Sequence, residues 1–321
     1  MKPFSALLFT KKKFIILIIF ICINLITTSG IAEKFKPKVL KSVVSLLPEW
    51  PNSHKNLQEP EATAVAILPG GYLATNDHVI RQANSIRVRL NDGRILPAKI
   101  IGRDFLTDLA LLKIPFDLPV LPLKNTLILG EKVCAIGNQF GLGLSVTCGV
   151  ISALQRTGTG FNPIEDFIQT DAVVNPGGSG GALIDNQGNL VGLVSAIFTK
   201  NSDANIGVNF AASIKLVMRV VRELKEKGRV IRGNSGFKVR NLSLNERRLF
   251  VGALVTHVSQ KGPAKDAGIK VGDIIVKIGS RNINQSSDIP SALHIVPSGI
   301  TLKVSFLRNG KYKNSTIVIT K

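Results

Sequence analysis

The residue of this sequence best suited to act as a nucleophile is Ser179, within the segment Asn175–Gly181 (NPGGSGG). A catalytic serine needs an accessible hydroxyl and nearby backbone N–H groups that stabilise a developing oxyanion. Glycines on both sides of it permit a tight turn and leave room for a substrate main chain. A serine among glycines also describes an ordinary loop, so the segment needs catalytic partners elsewhere. The surrounding pattern is not the strand–helix elbow of an α/β-hydrolase.

Two upstream segments supply such partners. Thr75–Ile80 (TNDHVI) carries His78 after a predicted hairpin, and Thr107–Leu112 (TDLALL) places Asp108 immediately before an apolar strand. His78 would accept the Ser179 proton, and Asp108 would hold the imidazole in the required tautomer. Each residue alone has a structural interpretation, as a core histidine, a turn acid or a loop serine. Together, the order His–Asp–Ser is that of chymotrypsin-like proteases and predicts a serine peptidase.

The elements that must position these residues are short strands. From about residue 42 to residue 208, apolar runs alternate with turn residues. Ser85–Leu90 (SIRVRL) alternates apolar and charged side chains, as a half-buried strand does. Asn91–Arg94 (NDGR) then predicts a tight hairpin turn. Many closely spaced strands without long intervening helices favour an all-β barrel or sandwich.

One helix interrupts the strands. Residues 212–224 have apolar side chains at helical spacing, with Ser213 as the predicted N-cap and Gly228 as the stop. A basic, glycine-containing connector follows, up to Gly236. The remaining residues contain predicted strands and short helices and suit a separate, small β-rich domain. The predicted strands are near 250–258, 273–278 and 300–307, and the short helices are at 263–267 and 288–295.

The three catalytic segments resemble those of the HtrA/Deg family of trypsin-like envelope serine proteases. Ala135–Asn138 (AIGN), Gln169–Gly181 and Gly207–Ala211 (GVNFA) extend the likeness, which runs from about residue 36 to the C-terminus. The resemblance implies an all-β dominated fold. A chymotrypsin-like double six-stranded β-barrel would occupy residues 33–228, with the active site between the barrels, and one PDZ domain would occupy residues 229–321.

The resemblance also implies an oxyanion hole at Gly177, Gly178 and Ser179, with the amides of Gly177 and Ser179 as donors. The sequence departs from the family nearby. Gly178 and Asp77 stand where asparagine is usual, and Ala62-Thr63-Ala64 stands where the family has Gly-Ser-Gly. Because glycine adds backbone freedom at position 178, we expect an oxyanion hole that is less ordered at rest. Activity would then depend on an activating ligand or on assembly.

Two further segments receive roles from the resemblance. Ser195, Ala196 and Ile197 match the wall of the primary specificity pocket, which implies small or medium apolar residues before the scissile bond. Arg156 matches an arginine of the regulatory sensor loop that helps to order the oxyanion hole. The alternative interpretation of Arg156 is a solvated loop charge.

The C-terminal part carries the PDZ resemblance. Gly262–Ile275 (GPAKDAGIKVGDII) is similar to the PDZ stretch that contains a short helix and the turn before a strand. Ser235, Gly236 and Phe237 correspond to the carboxylate-binding loop, where backbone amides would hold the C-terminus of a peptide. C-terminal peptides are therefore the expected partners of this domain.

The N-terminus has the features of a secretory signal. Lys11–Lys13 precede the apolar run Phe14–Ile26, and Gly30 and Ala32 suit cleavage after Ala32. Residues 1–32 are therefore predicted to be a signal peptide, which directs the protein to the periplasm. The alternative is an uncleaved anchor, which would associate the protein with the inner membrane.

Charge and cysteine content add two expectations. Residues 229–321 hold 16 basic and 4 acidic residues, but no nucleic-acid motif, so a solvated cationic surface is favoured over nucleic-acid binding. Cys134 and Cys148 flank a predicted hairpin loop and would form either a disulfide or two buried thiols. The four histidines show no ligand spacing, so neither a metal nor a cofactor is expected.

These features favour an ATP-independent serine endopeptidase that degrades or processes unfolded or misfolded envelope proteins, with the PDZ domain binding substrates or activators. Two alternatives stay open. One is a peptide-binding holdase or scaffold with little proteolysis, and the other is a membrane-anchored regulatory protease. The family resemblance implies a homotrimer or a larger assembly.

Overall fold

Strands dominate the residues that the structure describes, which are 37–50, 62–197 and 206–320 of a computed structural model. The predicted signal peptide, residues 1–32, lies outside them. Residues 36–321 form one compact unit. Within the described ranges, none of the helices is both long enough and apolar enough to cross a bilayer.

A sheet of seven strands carries His78 and Asp108 at the ends of its strands. The order across the sheet is β5-β4-β1-β2-β3-β7-β6. The predicted half-buried strand is β4, in which Ile86 and Val88 are buried while Ser85 and Arg87 are exposed. The strands are β1 (Val43–Glu49), β2 (Ala62–Leu68), β3 (Tyr72–Asn76), β4 (Ser85–Arg89), β5 (Ile95–Pro97), β6 (Lys99–Asp104) and β7 (Leu109–Lys113), and the four-residue helix α1 (Pro37–Leu40) precedes them.

This first sheet differs in detail from the expected six-stranded barrel. It has seven strands, and its outer strands β5 and β6 are not joined by a ladder among the described residues. β5 is only three residues long and ends at Pro97, which has no amide proton to donate to a neighbouring strand. The interior is filled by aliphatic side chains, including Leu46, Leu73 and Leu112.

The second sheet is a closed barrel of six strands in the order β10-β13-β12-β11-β8-β9. Its core contains Ile151, Ile168 and Val191, and Phe167 and Phe210 pack with their ring centroids 5.6 Å apart. The strands are β8 (Lys132–Gly137), β9 (Ser145–Arg156), β10 (Phe167–Thr170), β11 (Ala182–Asp185), β12 (Leu190–Ile197) and β13 (Asn209–Ser213), with a short 3-10 helix at Gln139–Gly141.

A disulfide joins two neighbouring strands of this barrel. Cys134 of β8 and Cys148 of β9 face each other in register, and their sulfur atoms are 2.08 Å apart. Of the two states that the sequence left open, the structure therefore has the bridge. It lies three residues before the end of β8, the strand that leads towards the Ser179 loop.

Helix α2 (Ile214–Lys227) begins and ends as predicted. The Ser213 side chain accepts a hydrogen bond from the Leu216 amide, and Gly228 closes the helix in the left-handed conformation with φ of 68°. Glycine adopts this conformation at helix ends without a side-chain clash. The apolar face of α2 packs on β6, β7, β12 and β13, so the helix spans both sheets.

The C-terminal part is a sheet in the order β14-β15-β16-β18-β19, with β17 paired to β16. Ile275, Val304 and Phe306 are among the residues of its separate core. The expected strands and short helices are all present within one to three residues. The predicted elements are β15 (Ala253–Val258), β16 (Ile274–Ile278), β18 (Thr301–Arg308), α4 (Pro263–Asp266) and α5 (Asp288–His294). The structure adds β14 (Phe237–Asn241), β17 (Arg281–Asn282), β19 (Lys311–Val318) and α3 (Leu244–Arg247).

Candidate active site

His78 and Asp108 meet at the edge of the first sheet, although 30 residues separate them in the chain. The His78 Nδ1 atom lies 2.6 Å from the Asp108 Oδ2 atom. The backbone N–H of His78 donates to the other carboxylate oxygen, Oδ1, at 2.8 Å. Because the carboxylate accepts from Nδ1, the opposite ring nitrogen, Nε2, is the one that can accept a proton.

Asp108 itself has an uncommon backbone conformation. Its φ is 55°, in the left-handed region, which costs a non-glycine residue roughly 1–2 kcal/mol. The surroundings hold it there, because the Asp108 carbonyl accepts from the Asp77 amide and from the Asn76 side chain, both at 3.1 Å. Such local strain is concentrated at functional sites in proteins.

Ser179 lies in the loop between β10 and β11, which belong to the second barrel. Its carbonyl accepts from the Thr63 amide of β2 at 3.0 Å, which ties the loop to the first sheet. The next residue, Gly180, has φ of +81°. A Cβ atom at Gly180 would overlap the Thr63 carbonyl oxygen, so both conformation and space require glycine at this position.

The backbone around Ser179 presents two amides without protein partners. Among the described residues, neither the Gly177 nor the Ser179 N–H donates to another group. The Pro176 carbonyl accepts from the Phe140 amide at 2.7 Å. Because the carbonyl and N–H of a trans peptide point in opposite directions, this bond directs the Gly177 N–H away from Phe140.

Gly178 differs from its two neighbours in the predicted oxyanion hole. Its amide donates to the Asn175 carbonyl at 2.9 Å, and its carbonyl accepts from Gly181 at the same distance. Its φ is not in the left-handed region. Gly178 is therefore a hydrogen-bonded spacer in this loop, and its amide is engaged within the protein.

The side chains of the candidate triad open onto shared cavities. A cavity of about 570 Å³ is lined by His78, Asp108, Ser179 and Ser195, among others. A second cavity, of about 320 Å³, is also lined by His78 and Ser179 and includes Trp50. The Ser179 hydroxyl is 3.5 Å from the Ser195 carbonyl, at the limit of a hydrogen bond.

The predicted specificity segment lies at the end of β12. Ser195 is buried, and its hydroxyl accepts from the Asn76 side chain at 3.2 Å. The backbones of Ala196 and Ile197 pair with Phe210 and Asn209 of β13. The side chains of Ala196 and Ile197 lie outside the described part of the structure.

Arg156 is the last residue of β9 and is exposed. Its Nε donates to the Gln169 side chain at 3.1 Å, and within the described residues it makes no hydrogen bond to the Ser179 loop. The adjacent residue, Gln155, has φ of 56° and accepts from Arg281 of β17 at 2.7 Å. Arg281 also contacts the buried Asp166 at 2.6 Å.

The predicted carboxylate-binding loop lies at the start of β14, the outer strand of the C-terminal sheet. Gly236 has φ of +76°, and Ser235 is buried. The Gly236 amide donates to the Asn234 side chain at 2.8 Å, so this donor is occupied. The free edge of β14 is of the kind to which an extended peptide adds as a further strand.

Sequence reasoning missed two residues that support this site. The Thr63 hydroxyl is buried, donates to the Gly177 carbonyl at 2.7 Å and accepts from the Asn138 amide at 2.9 Å. The family serine at this position, which also carries a hydroxyl, was the available indication. No signal in the sequence indicated Arg281, because its partner Asp166 is 115 residues away in the chain.

Comparison with known proteins defines the class. Trypsin-like peptidase domains match residues 62–193, and PDZ domains match residues 221–319. A Halomonas elongata protein named "Probable periplasmic serine endoprotease DegP-like" is 37% identical over 281 residues, which are 85% of this chain and 59% of that protein. The periplasmic pH-dependent serine endoprotease DegQ of Escherichia coli K12 is 37% identical over 250 residues, 75% of this chain and 55% of DegQ. This chain thus spans less than two thirds of these curated relatives.

A solved structure covers more of the chain. The HtrA-type protease AlgW with a tripeptide is 37% identical, has a TM-score of 0.70, and the match covers 88% of this chain and 94% of AlgW. The chain belongs to the family of HtrA-type proteases. The expected fold class, trypsin-like β-sheets followed by a PDZ domain, is confirmed.

Proposed function

We propose that this protein is an ATP-independent serine endopeptidase with His78, Asp108 and Ser179 as its catalytic triad. The observation that carries the proposal is the His78–Asp108 pair at 2.6 Å, facing a cavity that Ser179 also lines. The free amides of Gly177 and Ser179 support it, because an oxyanion needs two such donors. Residues 33–228 would form the protease domain and residues 229–321 the PDZ domain.

The chemistry follows from these groups. His78 Nε2 takes the proton of the Ser179 hydroxyl as the oxygen attacks the scissile carbonyl, and Asp108 stabilises the imidazolium. The Gly177 and Ser179 amides bind the oxyanion; one such donor is worth about 10²- to 10³-fold in rate. His78 then protonates the leaving amine, and a water activated by His78 hydrolyses the acyl-enzyme.

Labelling with a serine-directed fluorophosphonate tests the proposal. Wild-type protein should be labelled, Ser179→Ala should not, and peptide hydrolysis by the variant should fall by at least about 10⁴-fold. Ser179→Ala keeps the loop backbone, so its thermal unfolding serves as the folding control. Absence of labelling and of hydrolysis in wild type, with every activating peptide tried, would reject the enzyme.

The substrates we propose are unfolded or misfolded proteins of the periplasm, with small or medium apolar residues before the scissile bond. The periplasmic names of the relatives support the compartment. Cell fractionation and sequencing of the mature N-terminus test it. A start at residue 33 agrees with a cleaved signal peptide, whereas an intact N-terminus in the membrane fraction would indicate an anchor.

Regulation by the PDZ domain is the remaining part of the proposal. Three contacts join the C-terminal part to the protease part. Arg281 donates to the Gln155 carbonyl and Asp288 accepts from the Thr157 hydroxyl, on either side of Arg156 in the chain. Arg232 donates to Asp104, which is close to Asp108 in the chain. Binding of a peptide C-terminus near Ser235, Gly236 and Phe237 would change these contacts and, through Arg156, the oxyanion hole. A decapeptide with a free carboxylate should raise hydrolysis, and the same peptide with an amidated C-terminus should not.

The assembly we propose is a homotrimer or a larger oligomer. The family resemblance supports it. Light scattering coupled to size-exclusion chromatography should give a mass of three chains or a multiple of three, and a monomer at micromolar concentration would contradict it.

A further inference from the structure

A group of three charged residues next to the catalytic histidine is not used by the proposed chemistry. Asp77 is buried, with 1% of its surface exposed. Its carboxylate contacts the Nε atoms of Arg81 at 3.0 Å and of Arg103 at 2.5 Å. A buried carboxylate requires such partners, but two guanidinium groups share one carboxylate here. The trio therefore carries a net charge of +1, and its nearest further anion is the Asp108 carboxylate, 3.9 Å from Arg81 Nη2.

The guanidinium group of Arg81 is held in a fixed orientation. Its Nε is fixed by Asp77, and its guanidinium carbon lies 4.7 Å from the centre of the Phe105 ring. Within the described residues, the two terminal nitrogens of Arg81 make no hydrogen bond. The nearest carboxylate oxygen, on Asp108, is 3.9 Å from Nη2 and already accepts the His78 amide. Arg81 thus presents a planar pair of donors that is held in place and makes no hydrogen bond among the described residues, with one of the two at long ion-pair distance from Asp108.

The donors of Arg81 are in the substrate cleft. Arg81 lines the cavity of about 570 Å³ together with His78, Ser179 and Ser195. Among the described residues that line this cavity, it is the only lysine or arginine. Arg103 binds the same carboxylate but does not line the cavity. A guanidinium with two free parallel N–H groups matches a carboxylate in geometry and charge.

We propose that Arg81 is a specificity-determining residue that binds the carboxylate of a substrate glutamate or aspartate. This inference rests on the proposed protease function. Ser195, on the expected specificity wall, lines the same cavity, so the acidic residue would lie on the amino-terminal side of the scissile bond. Trp50 lines the other cavity, which would take the opposite side.

Matched peptides test the preference. A set with valine before the scissile bond would carry either Glu or Gln at the second, third or fourth residue upstream. At one of these positions, wild type should show kcat/KM on the order of tenfold higher for Glu, as one charge-assisted hydrogen bond provides. The gain should appear in KM and shrink when NaCl rises from about 50 mM to about 500 mM.

Three variants assign the preference to Arg81. Arg81→Gln should lower the Glu-to-Gln ratio to about one, whereas Arg103→Gln, which alters the same carboxylate outside the cavity, should keep the ratio. The double variant Asp77→Asn/Arg81→Gln removes the buried charge as well and serves if the single variant unfolds. An unchanged ratio in Arg81→Gln, or an equal fall in kcat for both peptides, would overturn the proposal; the second result would assign Arg81 to positioning Asp108.

A binding measurement separates this inference from the proposed catalysis. Fluorescence anisotropy with Ser179→Ala protein should show tighter binding of the Glu peptide, and Arg81→Gln in that background should abolish the difference. If wild type cleaves nothing but this difference is present, the specificity site stands and the protease function fails. If cleavage occurs without any Glu preference in wild type, the specificity site fails alone.

Discussion

The two halves of the candidate active site are held by different forces. On the first sheet, charged side chains hold His78: the Asp108 carboxylate accepts both its ring N–H and its backbone N–H. On the second barrel, backbone hydrogen bonds and glycine conformations hold Ser179. A carboxylate can be replaced without moving the main chain. A loop built on glycines near φ of +80° cannot accept a side chain without changing shape. Substitutions in the two halves should therefore have different effects on activity and stability.

The largest expected effect comes from the charged half. Asp108→Asn should lower kcat by about 10⁴-fold, because the amide favours the wrong histidine tautomer, while the fold persists. Peptide hydrolysis and fluorophosphonate labelling measure the activity, and thermal unfolding measures the stability of the fold. Asp117→Asn, a change in a loop acid that accepts the Gly70 and Gly71 amides, is the matched control and should leave kcat unchanged. Wild-type rates for Asp108→Asn would contradict the assignment.

The backbone half should lose structure and activity together. Gly180→Ala forces a side chain into a left-handed conformation and onto the Thr63 carbonyl, so we expect a loss of more than about 3 kcal/mol in the free energy of unfolding. Labelling of Ser179 should fall with it. Gly160→Ala is the matched control, since Gly160 has φ of +90° but open space around it, and should cost about 1 kcal/mol. Equal urea midpoints for the two variants would show that the close approach of position 180 to the Thr63 carbonyl does not affect stability.

A smaller effect is expected where the two halves meet. Thr63→Val keeps the shape of the side chain but leaves the Gly177 carbonyl and the Asn138 amide without their buried partner. We expect about 1–3 kcal/mol of destabilisation and a decrease in kcat on the order of tenfold, because the Gly177 peptide is less firmly held. Thr63→Ser retains the hydroxyl and should retain kcat. Equal kcat for the Val and Ser variants would remove Thr63 from the support of the oxyanion hole.

The smallest effect concerns pH and a region outside both halves. Burial, and then the nearby Arg232 and Arg219, lower the pKa of His294 to about 4. Since the unfolded chain has the higher pKa, about 6.5, it takes up the proton first as pH falls. The stability should therefore decline between about pH 6.5 and pH 4, by about 1–2 kcal/mol at pH 5.

Urea unfolding at pH 7.5 and pH 5 measures this decline. His294→Gln should flatten the dependence, whereas His257→Gln, at an exposed position of β15, should reproduce the wild-type slope. A His294→Gln protein with an unchanged slope would assign the pH dependence to other groups. Neither substitution should change the contrast between the two halves of the active site, in which Asp108→Asn loses activity alone and Gly180→Ala loses activity and stability together.

Local patterns accounted for much of the fold. The Asn91–Arg94 turn closes a hairpin in which the Leu90 amide donates to the Arg94 carbonyl at 2.9 Å. Ser213 and Gly228 mark the ends of α2 because a cap and a left-handed stop depend on neighbouring residues alone. The seventh strand and the open ladder of the first sheet could not be predicted this way. They depend on the course of the outer strands β5 and β6, which is determined by packing between residues that are distant in the sequence.

The sequence by itself determined which residues are candidates for catalysis, since His78, Asp108 and Ser179 lie in short segments whose composition is distinctive. It also limited the conformation of the Ser179 loop through its glycines. Tertiary structure decided which groups meet: Thr63 with Gly177, Arg281 with Asp166, Cys134 with Cys148, and Arg81 with the cavity. Hydrogen bonds and ion pairs act over a few ångströms. Only the folded chain brings together hydrogen-bonded residues that are up to 131 positions apart, as Thr157 and Asp288 are.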